Sequence, residues 1–384
     1  MKRWMLLAAV AFAGVAGAEN TSPAYMPPME QSRAKIKWVK PVCRVENRYL
    51  AWASVCRTAK GEILVVFSGD RDRHVCPYGK VQLIRSKDDG ETWSAPKTIV
   101  NGALDDRDAG IVEMPDGRLV VTYFTSIVFK NNPAYRRHYE KIPAKAIKDG
   151  LGYFRVESRD GGHTWSEPQR ISAAQSPHGP VLLKDGSLLQ LGRDFSASQH
   201  GQDASGRTIV KAHRSTDAGA GWELLCGEIA DANGEHRSGQ LFHEPHVAEL
   251  ADGTLVGMVR YHGSDGCMRQ TVSRDGGRSW TPMAATPMVG LPPHLLPLAD
   301  GKLLCVYGRR IAARGFGEFA CISDDGGKSW DVANEITLAR SHCGDLGYPA
   351  SCVLAGGDIL TVYYQQPRSG TKPCIMATRW RLTK

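Results

Sequence analysis

Residues 158–165 read SRDGGHTW, and the chain returns to that phrase four more times. It recurs as SKDDGETW from Ser86, STDAGAGW from Ser215, SRDGGRSW from Ser273 and SDDGGKSW from Ser323. The shared Ser, Asp, Gly and Trp carry turn chemistry: Ser and Asp oxygens bond backbone amides, and Gly takes positive φ. Before the copies lie short alternating apolar runs such as KVQLIR, YFRVE and FACI, which read as strands. Each copy therefore reads as a hairpin turn between two strands. It is a structural clip, not a place for chemistry.

A second repeat runs between the clips. Six times an apolar strand leads to a Gly turn and then to a strand of Leu, Val, Ile and Tyr. The turn glycines are Gly61, Gly117, Gly186, Gly253, Gly301 and Gly357, spaced by 48 to 69 residues. That period signals a propeller or a solenoid. Six such hairpins, each but the last followed by a clip hairpin, predict an all-β fold, a six-bladed β-propeller with little helix. The early run KIKWVK from Lys35 supplies a strand to complete the last blade beside CIMATRW from Cys374. Closing the ring in this way removes its sheet edges.

The chain opens on Lys2 and Arg3, an apolar run from Trp4 to about Val15, and the small-x-small triplet Ala16-Gly17-Ala18. This predicts a cleavable signal peptide over 1–18 and a secreted or periplasmic protein, with 19–384 as a single propeller domain and no stable membrane insertion. Ten cysteines in an exported chain permit disulfides. Their irregular spacing and the apolar runs around Cys305, Cys321 and Cys352 read mostly as buried small hydrophobes, with one or two bridges. HVC at His74 and SHC at Ser341 lack the paired spacing of a zinc site, so no metal or other cofactor is expected. The formal charge of +8, two units of it from Lys2 and Arg3, is scattered. No basic stripe marks a nucleic-acid partner, whereas a mild positive excess suits an acidic small substrate.

Because the hairpins are in frame, residues at a fixed offset from each turn glycine should converge on one cavity. Nine residues before it stand Trp52, Asp108, Pro177, Glu244, Pro292 and Tyr348, with His178 and His294 close by. Seven residues after it stand Ser68, Phe124, Arg193, Arg260, Gly308 and Tyr364, followed by Arg309, Arg310 and Gln365. Acids, a tyrosine, histidines and arginines thus collect at one mouth. Between two strands of blade two runs an insertion, SIVFKNNPAYRRHYEKIPAKAIKDGLGYF, that mixes Tyr and Arg as sugar- and anion-contacting rims do. It reads equally as surface decoration.

The clips resemble the Asp-boxes of the exo-α-sialidase (neuraminidase) superfamily, and the resemblance runs from about residue 45 to the end. HEPHVAELADGTLVGMVR resembles the family segment in which a Glu precedes an Arg by sixteen residues. GYPASCVLAGGDILTVYYQQ resembles the one that carries the nucleophilic Tyr. The resemblance implies a Tyr348 nucleophile, a Glu244 base and a carboxylate-binding Arg260. The chemistry suits the substrate. Sialic acid carries a carboxylate on its anomeric carbon, which repels an anionic nucleophile, so a tyrosine deprotonated during attack replaces the usual carboxylate. A planar Arg fork grips the carboxylate.

The chain departs from the family pattern in three places. YLAWASVCR has no Arg in register for the first of the arginine triad, which leaves Arg48, Arg71 or Arg73. HVCPYGKVQLIR lacks the acid/base Asp, and GEFACIS lacks the third Arg, leaving Arg310 or Arg314. Asp108 is the expected general acid and Asp345 the second candidate. In an alternative, inverting route Asp345 and Gln365 hold a water and Tyr348 only binds. Asp70 and Asp72 read either as loop caps or as site acids. Arg71, Arg107, Arg193, Arg260, Arg310, His74, His178 and His294 are the expected substrate-binding residues.

The reading as a whole is an exported, monomeric, exo-acting glycoside hydrolase that removes terminal sialic acid from glycans or glycoproteins. A hydrolase or lyase for another acidic sugar, and a non-catalytic glycan-binding propeller, are the alternatives.

Overall fold

The computed structural model describes residues 26–193, 208–234 and 241–383; the expected signal peptide lies outside them. Six antiparallel sheets are arranged as blades in chain order. Blade one comprises Tyr49–Arg57, Ile63–Arg71, Lys80–Ser86 and Lys97–Val100, and blades two to five repeat this order from Asp105, Val181, Phe242 and Pro293. Blade six takes Gly347–Val353, Ile359–Gln365 and Cys374–Leu382 from the end of the chain and Ala34–Cys43 from its beginning. The first strand of each blade is innermost, and the apolar clusters lie between neighbouring blades. One of them joins Trp52 and Ile84 of blade one to Leu360 and Tyr364 of blade six.

Ring closure rests on alternation. In Ala34–Cys43, Ala34, Ile36 and Val39 are buried while Lys35 and Lys37 face outward. The register pairs Ala34 with Leu382 and Ile36 with Trp380. Trp380 is fully buried, and its indole N–H donates to Thr361 Oγ1 at 2.9 Å.

All five clips join the third and fourth strands of a blade. In the first, the Ser86 hydroxyl donates to Asp88 Oδ1 at 2.8 Å and accepts from the Gly90 amide at 2.9 Å. Asp88 also accepts from the Thr92 amide at 2.9 Å and the Thr92 hydroxyl at 2.5 Å, while Trp93 Nε1 donates to the Gly90 carbonyl at 3.0 Å. Bonds from the Thr92 hydroxyl and amide bring the Asp88 carboxyl down to about 2. In the third clip Gly221 replaces Thr, so only its amide reaches Asp217, at 2.8 Å. The six turn glycines all have φ between 79° and 86°, the left-handed region that a Cβ disfavours.

Among the described residues helix is confined to short pieces, chiefly Arg136–Tyr139 and Ala144–Gly150 in the blade-two insertion. Among the described residues no helix is long and apolar enough to cross a membrane. The expected disulfides are a correction. All ten cysteines are free, and Cys43, Cys76, Cys305, Cys321, Cys352 and Cys374 are buried. Cys43, Cys305, Cys321, Cys352 and Cys374 pack as small apolar side chains on strands whose ladder hydrogen bonds already hold them, and Cys76 packs in the loop cluster beside Phe129.

Trp380→Ala removes the largest fully buried side chain at the closing seam. It is expected to destabilise the fold by about 3–5 kcal/mol, read as a shift of the denaturant midpoint.

Candidate active site

Four of the six residues that stand nine before a turn glycine share a backbone feature. Trp52, Asp108, Glu244 and Tyr348 have φ of 56°, 46°, 42° and 55°, and Pro292 follows a cis peptide. In blade four the ladder pairs His243 with Arg260 and next His246 with Met258; in blade six it pairs Gly347 with Tyr364 and next Ala350 with Val362. Both inner strands thus bulge there. Pro245 and Pro349, which have no amide to give the ladder, occupy the skipped positions. A bulge re-aims its side chains, and here it turns these onto the propeller axis. A left-handed Trp, Glu or Tyr costs about 1–2 kcal/mol, strain of the kind that collects at functional sites.

Tyr348 and Glu244 meet on the axis. The Tyr348 hydroxyl donates to Glu244 Oε1, Arg260 donates to Glu244 Oε2, and Arg260 Nη1 lies 3.5 Å from the Tyr348 oxygen. Arg260 Nε meets His262 Nε2 at 2.7 Å. Burial raises the Glu244 carboxyl, but Arg260 and the Tyr348 hydroxyl outweigh it and hold the group well below the carboxylate range. Burial and the Glu244 charge push the Tyr348 phenol well above its ordinary value. The proton therefore rests on Tyr348.

Two more cations flank this pair. Arg193 meets His243 Nδ1 at 2.6 Å and, with the Gln175 amide turned so that its oxygen accepts, reaches Gln175 at 2.9 and 3.0 Å. Burial lowers its pKa against the charges of Glu244, Tyr348 and Asp108. Arg310 donates to the Leu346 carbonyl at 2.9 Å and to the Tyr364 hydroxyl at 3.1 Å, and lies 5.6 Å from the Tyr348 ring centre.

Asp108 is buried, and its Oδ1 has no hydrogen-bond partner; Arg107 stands 3.9 Å away. Burial raises its carboxyl to about 7 against the pull of Arg107. Near neutral pH this group can give or take a proton. Arg107 itself lies 4.1 Å from the Trp52 ring centre with its Nε unpartnered. The indole nitrogen of Trp52 and His178 Nε2 are also buried without partners. Four orphaned polar atoms around one axis mark the place of a polar ligand.

Asp345 and His74 lie at the mouth with side chains 35% and 43% exposed. The Tyr49 hydroxyl donates to Asp345 Oδ1 at 2.7 Å and meets His74 Nδ1 at 2.8 Å, while the Tyr364 hydroxyl reaches the same carboxylate at 3.3 Å. Although burial would raise the Asp345 carboxyl, hydrogen bonds from His74 and Tyr49 lower it on balance. Asp345 is thus an ionised acceptor and unsuited to donate a proton. Burial lowers His74 despite its bond to Asp345.

Three expectations need correction. Gln365 is fully buried and donates to the Arg340 carbonyl at 3.1 Å. Alternation sends Tyr364 toward the mouth and Gln365 to the other face of the strand, so Gln365 and Asp345 share no water. Arg71 is 0% exposed beneath Trp52, forked onto Asp105 with the Oδ2 contact at 2.9 Å, and also donates to Ser68 Oγ and the His74 carbonyl. It braces a loop and is not free for substrate. His294 belongs to a buried layer below the mouth, where its ring stacks at 4.3 Å on His246 and 5.2 Å from His178. Of the three, His178 is the one that also approaches Tyr348, at 6.4 Å, and Ser54 Oγ, at 3.1 Å. Asp70 and Asp72 are paired with Arg48 at 3.1 and 3.0 Å, and Asp70 also with Lys80 at 2.5 Å, so they cap a loop at the rim. Among the described residues, no three His, Cys, Asp or Glu side chains are placed to share a metal ion.

Tyr49 and His262 were not anticipated. Neither sits at a phased offset, and only the fold brings Tyr49 to Asp345.

This architecture defines a sialidase-like propeller of the BNR type. The chain matches the BNR repeat-like domain over residues 108–361, more than half its length, and belongs to that family. It is similar to a protein of unknown function from Dyadobacter fermentans, with 22% identity and a TM-score of 0.74, over 91% of this chain and 99% of that one. It is similar to a Hadza microbial sialidase (18% identity, TM-score 0.64) over 88% of this chain and 66% of that one. It is similar also to the NanB sialidase of Streptococcus pneumoniae (13% identity, TM-score 0.62), over 94% and 70%. This chain thus spans about two thirds of the length of those two sialidase chains. Identities this low establish a shared fold. No curated protein matches the sequence.

The raised Asp108 has a stability consequence. Its folded pKa, about 7, lies above the ordinary carboxyl value of 3.8. The folded state therefore keeps a proton that the unfolded chain has lost, and stability falls as pH rises between the two values. Asp108→Asn is expected to raise Tm by a few degrees at about pH 8 and hardly at all at about pH 4, measured by thermal melts at both.

Proposed function

We propose that this protein is an exo-acting glycoside hydrolase that releases terminal sialic acid from glycans or glycoproteins. The observation that carries the reading is the Tyr348 hydroxyl seated on the Glu244 carboxylate, with Arg260 on the same carboxylate and Arg193 and Arg310 on either side. A carboxylate arriving on the arginines competes with Glu244 for Arg260. Glu244 then loses part of the charge that suppresses its basicity and can take the Tyr348 proton as the phenolic oxygen attacks the anomeric carbon. Protonated Asp108 supplies the leaving oxygen with its proton and, as the carboxylate, later takes one from the water that opens the glycosyl-tyrosine, while Glu244 returns its proton to the departing Tyr348 oxygen. The low-dielectric axis strengthens each of these interactions.

One observation favours the second reading, a hydrolase or lyase for another acidic sugar such as a uronate. On blade one the axis position is Trp52, with Arg71 and Arg107 against its ring, and Arg71 is spent on Asp105 rather than offered to a substrate carboxylate. Export to the periplasm or the medium, with cleavage near Ala18, belongs to the same proposal.

An NMR time course on a sialylated oligosaccharide is expected to show free sialic acid whose first anomer retains the configuration. An unsaturated uronate from an acidic polysaccharide, with sialosides untouched, would establish the second reading instead. Tyr348→Phe keeps the cavity's shape and is expected to lower kcat by roughly three orders of magnitude or more. Glu244→Gln should cost much of the same without adding to it, because the two act as a unit. A loss of only tenfold for Tyr348→Phe would refute the covalent route. Arg260→Lys keeps the charge but loses the fork, and is expected to raise KM at least tenfold in steady-state assays.

A further inference from the structure

The blade-two insertion is not used by the site described above. It is pinned to blade one: Phe129 and Tyr135 bury against Cys76 and Leu104, with Val75 and Ile147 packed around them. Between the insertion and blade one lies a cavity of about 410 Å³ lined by Arg48, Asp70, Tyr78, Lys80, Asn101 and His138. It opens on the same face of the wheel as the mouth. Arg48 lines it, while the next residue, Tyr49, hydrogen-bonds Asp345 at the mouth. Arg48 also bridges the two, pairing with Asp70 on the cavity side and with Asp72 on the loop that leads to His74.

The lining has a definite chemistry. Tyr78 is 40% exposed, and perpendicular ring contacts to His138 at 5.3 Å and Tyr135 at 6.0 Å hold its orientation. Ring surface is therefore presented in a fixed pose at little entropic cost, as a platform for the C–H face of a sugar ring. Around it stand a carboxylate, a guanidinium and an amide, side chains that bond adjacent hydroxyls. Asp70 is shared by Arg48 and Lys80, so its charge is compensated within the wall. That balance suits a neutral sugar better than an anion.

We propose that this rim cavity is a subsite for neutral sugar residues on the leaving-group side of the substrate, reached by a glycan whose terminal acidic sugar sits on the axis. The proposal rests on the hydrolase reading for its place in the reaction, but not for binding. Tyr78→Ala is expected to lower kcat/KM about tenfold, through KM, on a sialylated glycopeptide. It should leave kcat/KM unchanged on an aryl sialoside, which lacks the distal sugars. An equal loss on both substrates, or none on the glycopeptide, overturns the subsite.

Binding is tested separately by saturation-transfer NMR with the desialylated glycopeptide. Transfer to its sugar protons is expected with the unaltered protein and should be lost in Tyr78→Ala. Absence of transfer with the unaltered protein overturns the proposal. If that protein is inert on both sialosides, the hydrolase reading fails while the binding result still decides the subsite.

Discussion

The pairing of Ala34–Cys43 with Cys374–Leu382 is the interaction on which the rest of the structure depends. The functional groups stand on inner strands of different blades, and nothing within any one blade fixes their distances from each other. Glu244 on blade four meets Tyr348 on blade six across the centre of the ring. An open ring would expose two sheet edges and let the first and last blades part. It would separate Tyr49 from Asp345 and Trp52 from Tyr364, the contacts that build the mouth. The seam is correspondingly well made, with Trp380 buried on one side and pairing that runs from Ala34 to Cys43, interrupted by shifts at Ile36/Trp38 and Pro41/Cys43.

A closed and rigid ring also bears the strain at its centre. Four side chains on the axis leave bulges at positive φ, a conformation that an isolated strand abandons. The turn glycines at the far ends of the hairpins take positive φ without a Cβ penalty, while Asp89 and Ala218 in the clips carry one, so the axis layer holds much of the strain but not all of it. Charge is concentrated in that same layer. Arg193, Arg260 and Arg310 surround one ionised carboxylate, Glu244, while Asp108 is raised toward neutrality by its burial. The resting site thus holds more cationic than anionic charge, which favours an anionic ligand over a neutral one. The arginine–glutamate contact is the part such a ligand would disturb first.

Much of this was legible in the chain. The clips and the six turn glycines are local devices, made by residues within a few positions of each other, and their periodicity alone indicates six blades. Because the hairpins are in phase, one offset was enough to pick out Trp52, Asp108, Glu244 and Tyr348, and the companion offset Arg193 and Arg260. The phase argument failed one residue further on. Gln365 follows Tyr364 directly, yet the two face opposite sides of the strand. Arg71, one strand end among several, became a brace because Asp105 from the next blade meets it in the core. His294 sits two residues beyond Pro292, the phased position of blade five, and falls into the layer below the mouth.

What the sequence by itself determined is therefore the repeat, the number of blades and which inner-strand positions approach the axis, since these follow from turn chemistry and from a period of two along each strand. What only the tertiary structure decided is how groups from different blades are matched. That includes the Tyr348–Glu244–Arg260 contact, the Tyr49–His74–Asp345 cluster, the unpartnered carboxyl of Asp108 and the cavity under the insertion. These depend on the closure of the ring and on the depth of each bulge. Both are set by packing between residues as much as three hundred positions apart, for which no local pattern in the chain is a guide.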